Sequence, residues 1–553
     1  KFVAYDEAQY YLYAFWNQSF IFDNYISEGF DTRFFETLGK VLKYKLKSVD
    51  LNDALTYLKA VEARHFNNLQ GYNDYNSKIN SIKQWQYCGA FENLNQSGLD
   101  KVYEPEIKAK SKSEFNAKSN GKLNWYKSNN NTDAYRFYSN HSEYGSAVHY
   151  AQSFVTLEES KAVIFRLGTG SAVKLFVNDV EVFKYDKDVN TELNSFEIQL
   201  QLPKGNNRIL VKNSESNSTA YFILALFDEF KNPLNYQVSS NYKPYKKSQL
   251  SDLNPKILDN EFEVYFKNKM KENPSNFLYR ISLYNTYLRN SKYNEARDLI
   301  YPLLESSPKS SLLRRLLMIT HKLEGNNTRV NELEGNIEKD DPDYFLPVLS
   351  KILDYGKLSK LNMTDFEDYI NKLKSTFKSD FIKEAANFIY YARQQDVTNL
   401  RTSLERLSKL TQNNNNLILK YAPLYDNIFK EKEKTIAILE KVVNSTFDIK
   451  AENMLIRYYD DNNLKKKTLG LLKKNYKYLN TDNYYIERIV KKLHSYKNFN
   501  ESIDYIDQML KNYPYSFKAM ELRGDAAKQL GDKTTALTFY RKALKHYSNN
   551  KSL

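Results

Sequence analysis

The stretch from Phe517 to Tyr547, FKAMELRGDAAKQLGDKTTALTFYRKALKHY, constrains this chain more than any other. Counted from Phe517, Gly524 falls at position eight, Gly531 at fifteen, Ala536 at twenty, Tyr540 at twenty-four and Ala543 at twenty-seven. Small residues at this spacing let two antiparallel helices pack closely, so a helical hairpin is expected. Such a hairpin cannot bury its apolar face alone, and the chain must supply neighbours.

The register is that of a tetratricopeptide repeat, which this stretch resembles, and it extends backwards. Phe277 to Ser310 fits with Leu283, Tyr287, Ala296, Ile300 and Pro308 in phase, and Asn483 to Ser516 with Ile489, Ser502, Ile506 and Pro514. Pro274 and Pro514 stand 240 residues apart, close to seven units of 34. The reading is a helical solenoid of about eight units over 274–553. No capping helix is expected after the last repeat, whose end is read as a docking face or a point of continuation.

A chain of 553 residues exceeds a single core. The net charge of +14 is uneven: residues 85–236 carry 17 basic and 18 acidic side chains, whereas 237–553 carry 54 and 39. The excess positive charge therefore lies on the solenoid half, where a solvated basic exterior explains it without a ligand. One cysteine, Cys88, excludes an internal disulfide and a cysteine zinc site. No apolar run is long enough for a transmembrane helix.

Residues 1–84 read as helical. Tyr5, Ala8, Tyr11, Leu12, Phe15 and Trp16 form one apolar face; Phe34, Leu38, Val41 and Leu42 follow Asp31-Thr32; Ala54, Leu55, Leu58, Val61 and Ala63 follow Asp50. The character changes at Trp85. Between Ala147 and Leu226 short runs rich in β-branched and aromatic residues alternate with turn residues, which predicts an antiparallel β-sandwich over 85–236. Asn178-Asp179 marks a tight hairpin between Leu175, Val177 and Val180, Val182. Residues 237–273 read as a linker and entry helix. The fold class is α+β and multidomain: mainly a tetratricopeptide-type α-helical solenoid, with a jelly-roll-like antiparallel β-sandwich in the first half.

FRLGTGSAVKLFVNDVEVF and LPKGNNRILVK resemble galactose-binding-like jelly-roll modules through Asn178, Lys204, Gly205 and Asn207. Gly205 suits a positive φ, and Asn207 can bond its own backbone. Upstream, Trp85, Cys88, Gly89, Phe91, Asn93, Gly98, Asp100, Pro105 and Glu106 resemble the segment before such a sandwich in exported, Bacteroidota-type transglutaminase-like repeat proteins. Ala90 departs from the proline frequent there. The resemblance implies export and a periplasmic or outer-membrane-associated location. It also offers a reading of the chain as the non-catalytic N-terminal part of a transglutaminase-like enzyme.

No catalytic, cofactor or metal site is expected. Cys88 reads as a buried structural thiol. His141 and His149 do not make a metal site, and Asp186, Asp188, Asn190 and Glu192 lack the glycine of a calcium loop. In a repeat of this type the first helix lines the groove. That places Tyr484, Glu487, Lys491, His494 and Ser495 there in one unit, and Lys518, Glu521, Asp525, Lys528 and Gln529 in the next. The lysine-tyrosine run Lys465–Lys467, Lys473, Lys474, Lys477, Lys491 and Lys492 is the place for single-stranded nucleic acid, a partner not expected here.

The function that follows is a non-enzymatic protein–protein interaction scaffold of a bacterial cell envelope, with protein partners held in an assembly. An alternative is a carbohydrate-binding accessory protein that takes a glycan through the sandwich, with Trp125, Tyr126 and Tyr144 as the platform.

Overall fold

The computed structural model describes residues 7–15, 40, 43, 49–110, 114–128, 133–138, 143, 145–216, 220–344, 355–411 and 414–547. The chain forms two compact units: Lys1–Tyr44 with Phe262–Leu455, and Lys45–Glu261 with Ile456–Leu553. The helices of 1–84 and the helical repeats are each divided between them.

Helix pairs begin at Phe277, Ser311, Asp380, Asn415, Ile449, Asn483 and Phe517, and neighbouring starts are 34 or 35 residues apart wherever both are described. Met363–Thr376 is a further helix, packed on Asp380–Gln394. Asn276, Ser310, Ser379, Asn414, Asp482 and Ser516 each cap a first helix, their side-chain oxygens accepting a backbone N–H of the opening turn. The small and apolar positions of the register are buried, among them Leu283, Ala296, Ile300, Ser502, Ile506, Ala536 and Ala543. The chain thus carries a tetratricopeptide-type helical solenoid.

In the first unit the helix Ala8–Phe15 packs on Glu261–Glu272. Tyr13 stacks on Phe262 at 3.7 Å and Tyr10 on Tyr265 at 3.8 Å. The Tyr13 hydroxyl donates to Asn290 Oδ1 at 2.8 Å, and Asn290 in turn donates to the buried Glu263 carboxylate at 2.8 Å. An N-terminal helix thereby supplies a pair for the helix preceding Phe277, which places one more helical layer ahead of the first repeat.

The second unit holds the helices α1 (Val49–His65), α2 (Leu69–Lys78), α3 (Asn483–Ser495), α4 (Phe499–Asn512), α5 (Phe517–Gln529) and α6 (Lys533–His546). The expected apolar face of Phe34, Leu38, Val41 and Leu42 lies outside the described residues. The strands are β1 (Gln86–Glu92), β2 (Phe115–Asn116), β3 (Lys122–Leu123), β4 (Tyr126–Lys127), β5 (Arg136–Phe137), β6 (Ala147–Leu157), β7 (Lys161–Thr169), β8 (Ala172–Val177), β9 (Val180–Tyr185), β10 (Phe196–Leu202), β11 (Gly205–Glu215), β12 (Tyr221–Asp228), β13 (Gln237–Ser239) and β14 (Lys256–Leu258).

Two antiparallel sheets make the sandwich. One runs β4-β1-β6-β11-β8-β9 with β13 beside β6, the other β14-β10-β7-β12-β5. Every second residue points inward. Val163, Phe165 and Leu167 of β7, Ile198, Leu200 and Leu202 of β10, and Phe222, Leu224 and Leu226 of β12 meet Val155, Ile209, Val211, Val173, Leu175 and Val177 in one core.

The outer face of the first sheet is also buried, and carries charged side chains beside an apolar cluster that includes Val148, Tyr150, Phe176 and Leu210. Arg208, fully enclosed, donates to Asp179 at 2.8 Å, Gln152 at 3.0 Å and the Pro105 carbonyl at 2.6 Å. Lys212 donates to Glu106 and to the Lys101 carbonyl, both at 2.7 Å. These cations persist in the interior because each has an oxygen partner.

The turn residues behave as expected. Asn178 and Asp179 have φ of 50° and 69° between β8 and β9, and Gly205 has φ of 93°. Asn207 donates to the carbonyls of Pro203 and Gly205. The linker after Asp228, however, is not a loose connection: β13 joins β6 in one sheet and β14 joins β10 in the other. The Asn178-Asp179 turn holds it further, since Asn178 Nδ2 donates to Ser248 Oγ at 3.1 Å and the Tyr245 hydroxyl to Asp179 at 2.8 Å. Open sheet edges with unpaired backbone groups recruit even an aperiodic segment into strands.

Candidate interaction surface

The last two repeats, α3 to α6, belong to the same compact unit as the sandwich. Within the last hairpin the signature glycine has a direct cause. A Cβ on Gly524 of α5 would stand 2.5 Å from the Tyr540 ring of α6, and the Tyr540 hydroxyl donates to Asp525 at 2.6 Å.

The turn between α4 and α5 carries Tyr513-Pro514-Tyr515. Tyr513 is fully buried in the sandwich core, where its hydroxyl donates to the Gly89 carbonyl at 3.0 Å. Its ring lies 5.4 Å from that of Tyr126. Tyr515 packs on the cluster of Cys88, Phe91 and Phe115 on the other face of β1. Ser516, the cap of α5, donates to the carboxylate of Glu143, which also accepts the Lys518 backbone N–H. Burial pushes Glu143 up to about 7 against the pull of those hydrogen bonds.

The far end of the hairpin is held as closely. Gly121, at φ of 80°, lies against the last turn of α6, where a Cβ would come within 2.1 Å of the Lys545 carbonyl oxygen. His546 hydrogen-bonds to the Asn120 backbone, and burial holds its pKa below the usual histidine range. The last turn of α6 is thus covered by the protein's own sandwich, while Leu537 and Leu544 on the outer face of that helix remain exposed. Two tyrosines flanking the repeat proline are the one sequence signal that pointed there.

The expected groove residues separate into three groups. Tyr484, Lys491, Lys528 and Gln529 are exposed, and Lys491 pairs with Glu487 one helical turn away at 2.6 Å. His494 and Asp525 turn into their own hairpins instead. His494 Nε2 lies 2.9 Å from Ser502 Oγ on α4, and Asp525 takes the Tyr540 hydroxyl. Lys518 and Glu521 are half-buried, with the Lys518 N–H on Glu143.

Two residues of the expected glycan platform are described, and neither is exposed. Tyr126 is buried against Tyr87, Tyr513 and Tyr515, and Trp125 lies partly buried against Phe115 under the Arg208 guanidinium. Aromatic side chains near the sheet edge were drawn into the junction with the repeats. Tyr144 and His141 lie outside the described residues.

Other sequence features resolve into structure. Cys88 is buried, and burial pushes its thiol pKa well up. His149 faces Glu215 at 3.3 Å inside the sandwich. Among the described residues no three histidine, cysteine or carboxylate side chains gather as a metal site. In the basic run, Lys473 pairs with Glu501 and Lys492 with Asp460, while Lys465 lies over Tyr496 and Lys467 over Tyr459. Among the described residues no helix is long and apolar enough to cross a membrane.

No family model matches the sequence, nor does any curated protein. Solved structures with which it shares helical segments include MamA of MSR-1, at 18% identity over 30% of this chain and 95% of that one, with a TM-score of 0.22. The APC/C hetero-tetramer Cut9-Hcn1 follows at 10% identity, 48% and 52% coverage and a TM-score of 0.29. The human IFIT1 dimer with PPP-AAAA gives 16% identity, 52% and 78% coverage and a TM-score of 0.27.

Proposed function

We propose that this protein is a non-enzymatic scaffold that holds protein partners through its helical repeats, exported to a bacterial cell envelope. The observation that carries the reading is the state of α3 and α5. The start of α5 is fixed to the sandwich through Tyr513 and Ser516, while Tyr484 and Lys491 on α3 and Lys528 and Gln529 on α5 are exposed and stay open to a partner. A surface held rigid before binding loses little conformational entropy on association, which favours use as a docking face. The envelope location is supported by the resemblance of the 85–236 region to exported repeat proteins.

The full-length chain, used as bait at physiological salt, is expected to retain a defined protein from envelope extract, and Tyr484→Ala with Lys528→Glu to release it. Retention of nothing by the wild type, or an unchanged set with the variant, refutes the reading. Cell fractionation tests the location separately.

A further inference from the structure

A cleft of about 650 Å³ opens where the linker crosses the sandwich. Its floor is formed by the turns after β6 and β10, with Gln201, Pro203 and Lys204; its wall is the linker, with Pro244, Lys246 and Lys247. The volume is that of a site for a small ligand or a short segment of a chain. The walls are fixed before anything enters. Asn206 donates to the Pro244 carbonyl at 2.9 Å and takes the Thr156 hydroxyl at 2.7 Å, and Ser160 donates to the Leu202 carbonyl at 3.2 Å.

The lining is electropositive. Lys204 and Lys246 are exposed, and no ion pair is formed by either among the described residues. Lys247 stands 3.6 Å from Asp179, whose other oxygen already binds Arg208. The one carboxylate in the cleft, Asp252, accepts the Gln249 N–H at the start of its own short helix. Cations therefore outnumber anions in a concave, preformed space. Arg208 and Lys212 of the same sandwich, by contrast, are buried and each is paired with a carboxylate.

We propose that this cleft binds an anionic sugar chain, with the ammonium groups of Lys204, Lys246 and Lys247 meeting its carboxylates or sulfates. Three separate point charges suit anionic groups spaced along a chain, whereas a single phosphate is better gripped by an arginine fork. Pro203 and Pro244 line the cleft and offer apolar surface to sugar C–H groups, and Gln201, whose Nε2 donates to Ser160 Oγ at 3.1 Å, has its amide oxygen to accept from hydroxyls. Single-stranded nucleic acid needs exposed aromatic platforms, but Tyr245, the aromatic side chain of the cleft, is half-buried with its hydroxyl on Asp179. A flat anionic membrane fits a protruding surface better than a cleft.

Calorimetry with the full-length protein tests this. A galacturonate hexasaccharide and a sulfated hexasaccharide are the two anionic probes; cellohexaose, oligothymidylate, a glutamate hexapeptide and phosphatidylglycerol vesicles are the comparisons. The expected result is binding of at least one anionic saccharide, weakened by added salt. Combined Lys204→Gln, Lys246→Gln and Lys247→Gln should weaken it about tenfold or more, with an unchanged melting temperature because all three side chains are exposed. Which saccharide binds tells carboxylate from sulfate. Absence of saccharide binding, binding indifferent to the triple variant, or tighter binding of cellohexaose, oligothymidylate, the peptide or the vesicles overturns the proposal.

Discussion

The hydroxyl of Tyr513 donates to the carbonyl of Gly89 across 3.0 Å, a buried bond between a repeat turn and the middle of a β-strand. Tyr513→Phe leaves that carbonyl unpaired in an apolar site and should cost about 1–2 kcal/mol. Tyr513→Ala also empties the ring's place and should cost about 3–5 kcal/mol. Urea unfolding, with proteolysis in the 513–547 region as a second readout, checks both values.

Gly524 and Tyr540 predict a reversal of sign. Glycine in a helix interior is about 1 kcal/mol worse than alanine, yet a methyl group there meets the ring at 2.5 Å. Gly524→Ala should therefore destabilise the protein through overpacking of about 1–3 kcal/mol. In a Tyr540→Ala background the same change should stabilise it. A double-mutant cycle measures the difference.

The docking of Glu143 on Ser516 is expected to depend on pH. Its folded pKa of about 7 lies above the ordinary value for a glutamate, so the fold favours the protonated acid. That contribution is complete below the ordinary glutamate pKa and is lost as pH rises through about 7. Melting temperatures of the wild type should decline over that interval, and Glu143→Gln should flatten the decline and give the more stable protein at pH 8.

Arg208 tests the buried polar layer. Arg208→Met leaves buried Asp179 with only the exposed Lys247 ammonium at 3.6 Å and the Tyr245 hydroxyl, and should cost about 3–5 kcal/mol. Adding Asp179→Asn removes the stranded charge and should recover part of the loss in denaturant unfolding.

Residues whose roles are local were legible in the sequence. Ala536, Ala543, Ser502 and Ile506 mark a register that repeats at short range, and Asn178, Gly205 and Asn207 occupy turns that few other residues tolerate. Roles set by distant chain were not legible. His494 and Asp525 sit at groove positions by count, but a hydroxyl on the facing helix turned each inward. Trp125 and Tyr126 look like any exposed aromatics until the 513–515 turn is laid against them. The strands β13 and β14 have no alternation of their own because the edges they complete lie elsewhere in the sequence.

The bond between Tyr513 and Gly89 joins residues 424 positions apart. A ribosome adding about 5–20 residues per second needs roughly 20–85 s to make the chain between them. Through that interval the strand carrying Gly89 has been made and its partner has not. Completion of the sandwich core must therefore wait until Tyr513 has been translated, which makes this junction the step at which a chaperone has most to protect.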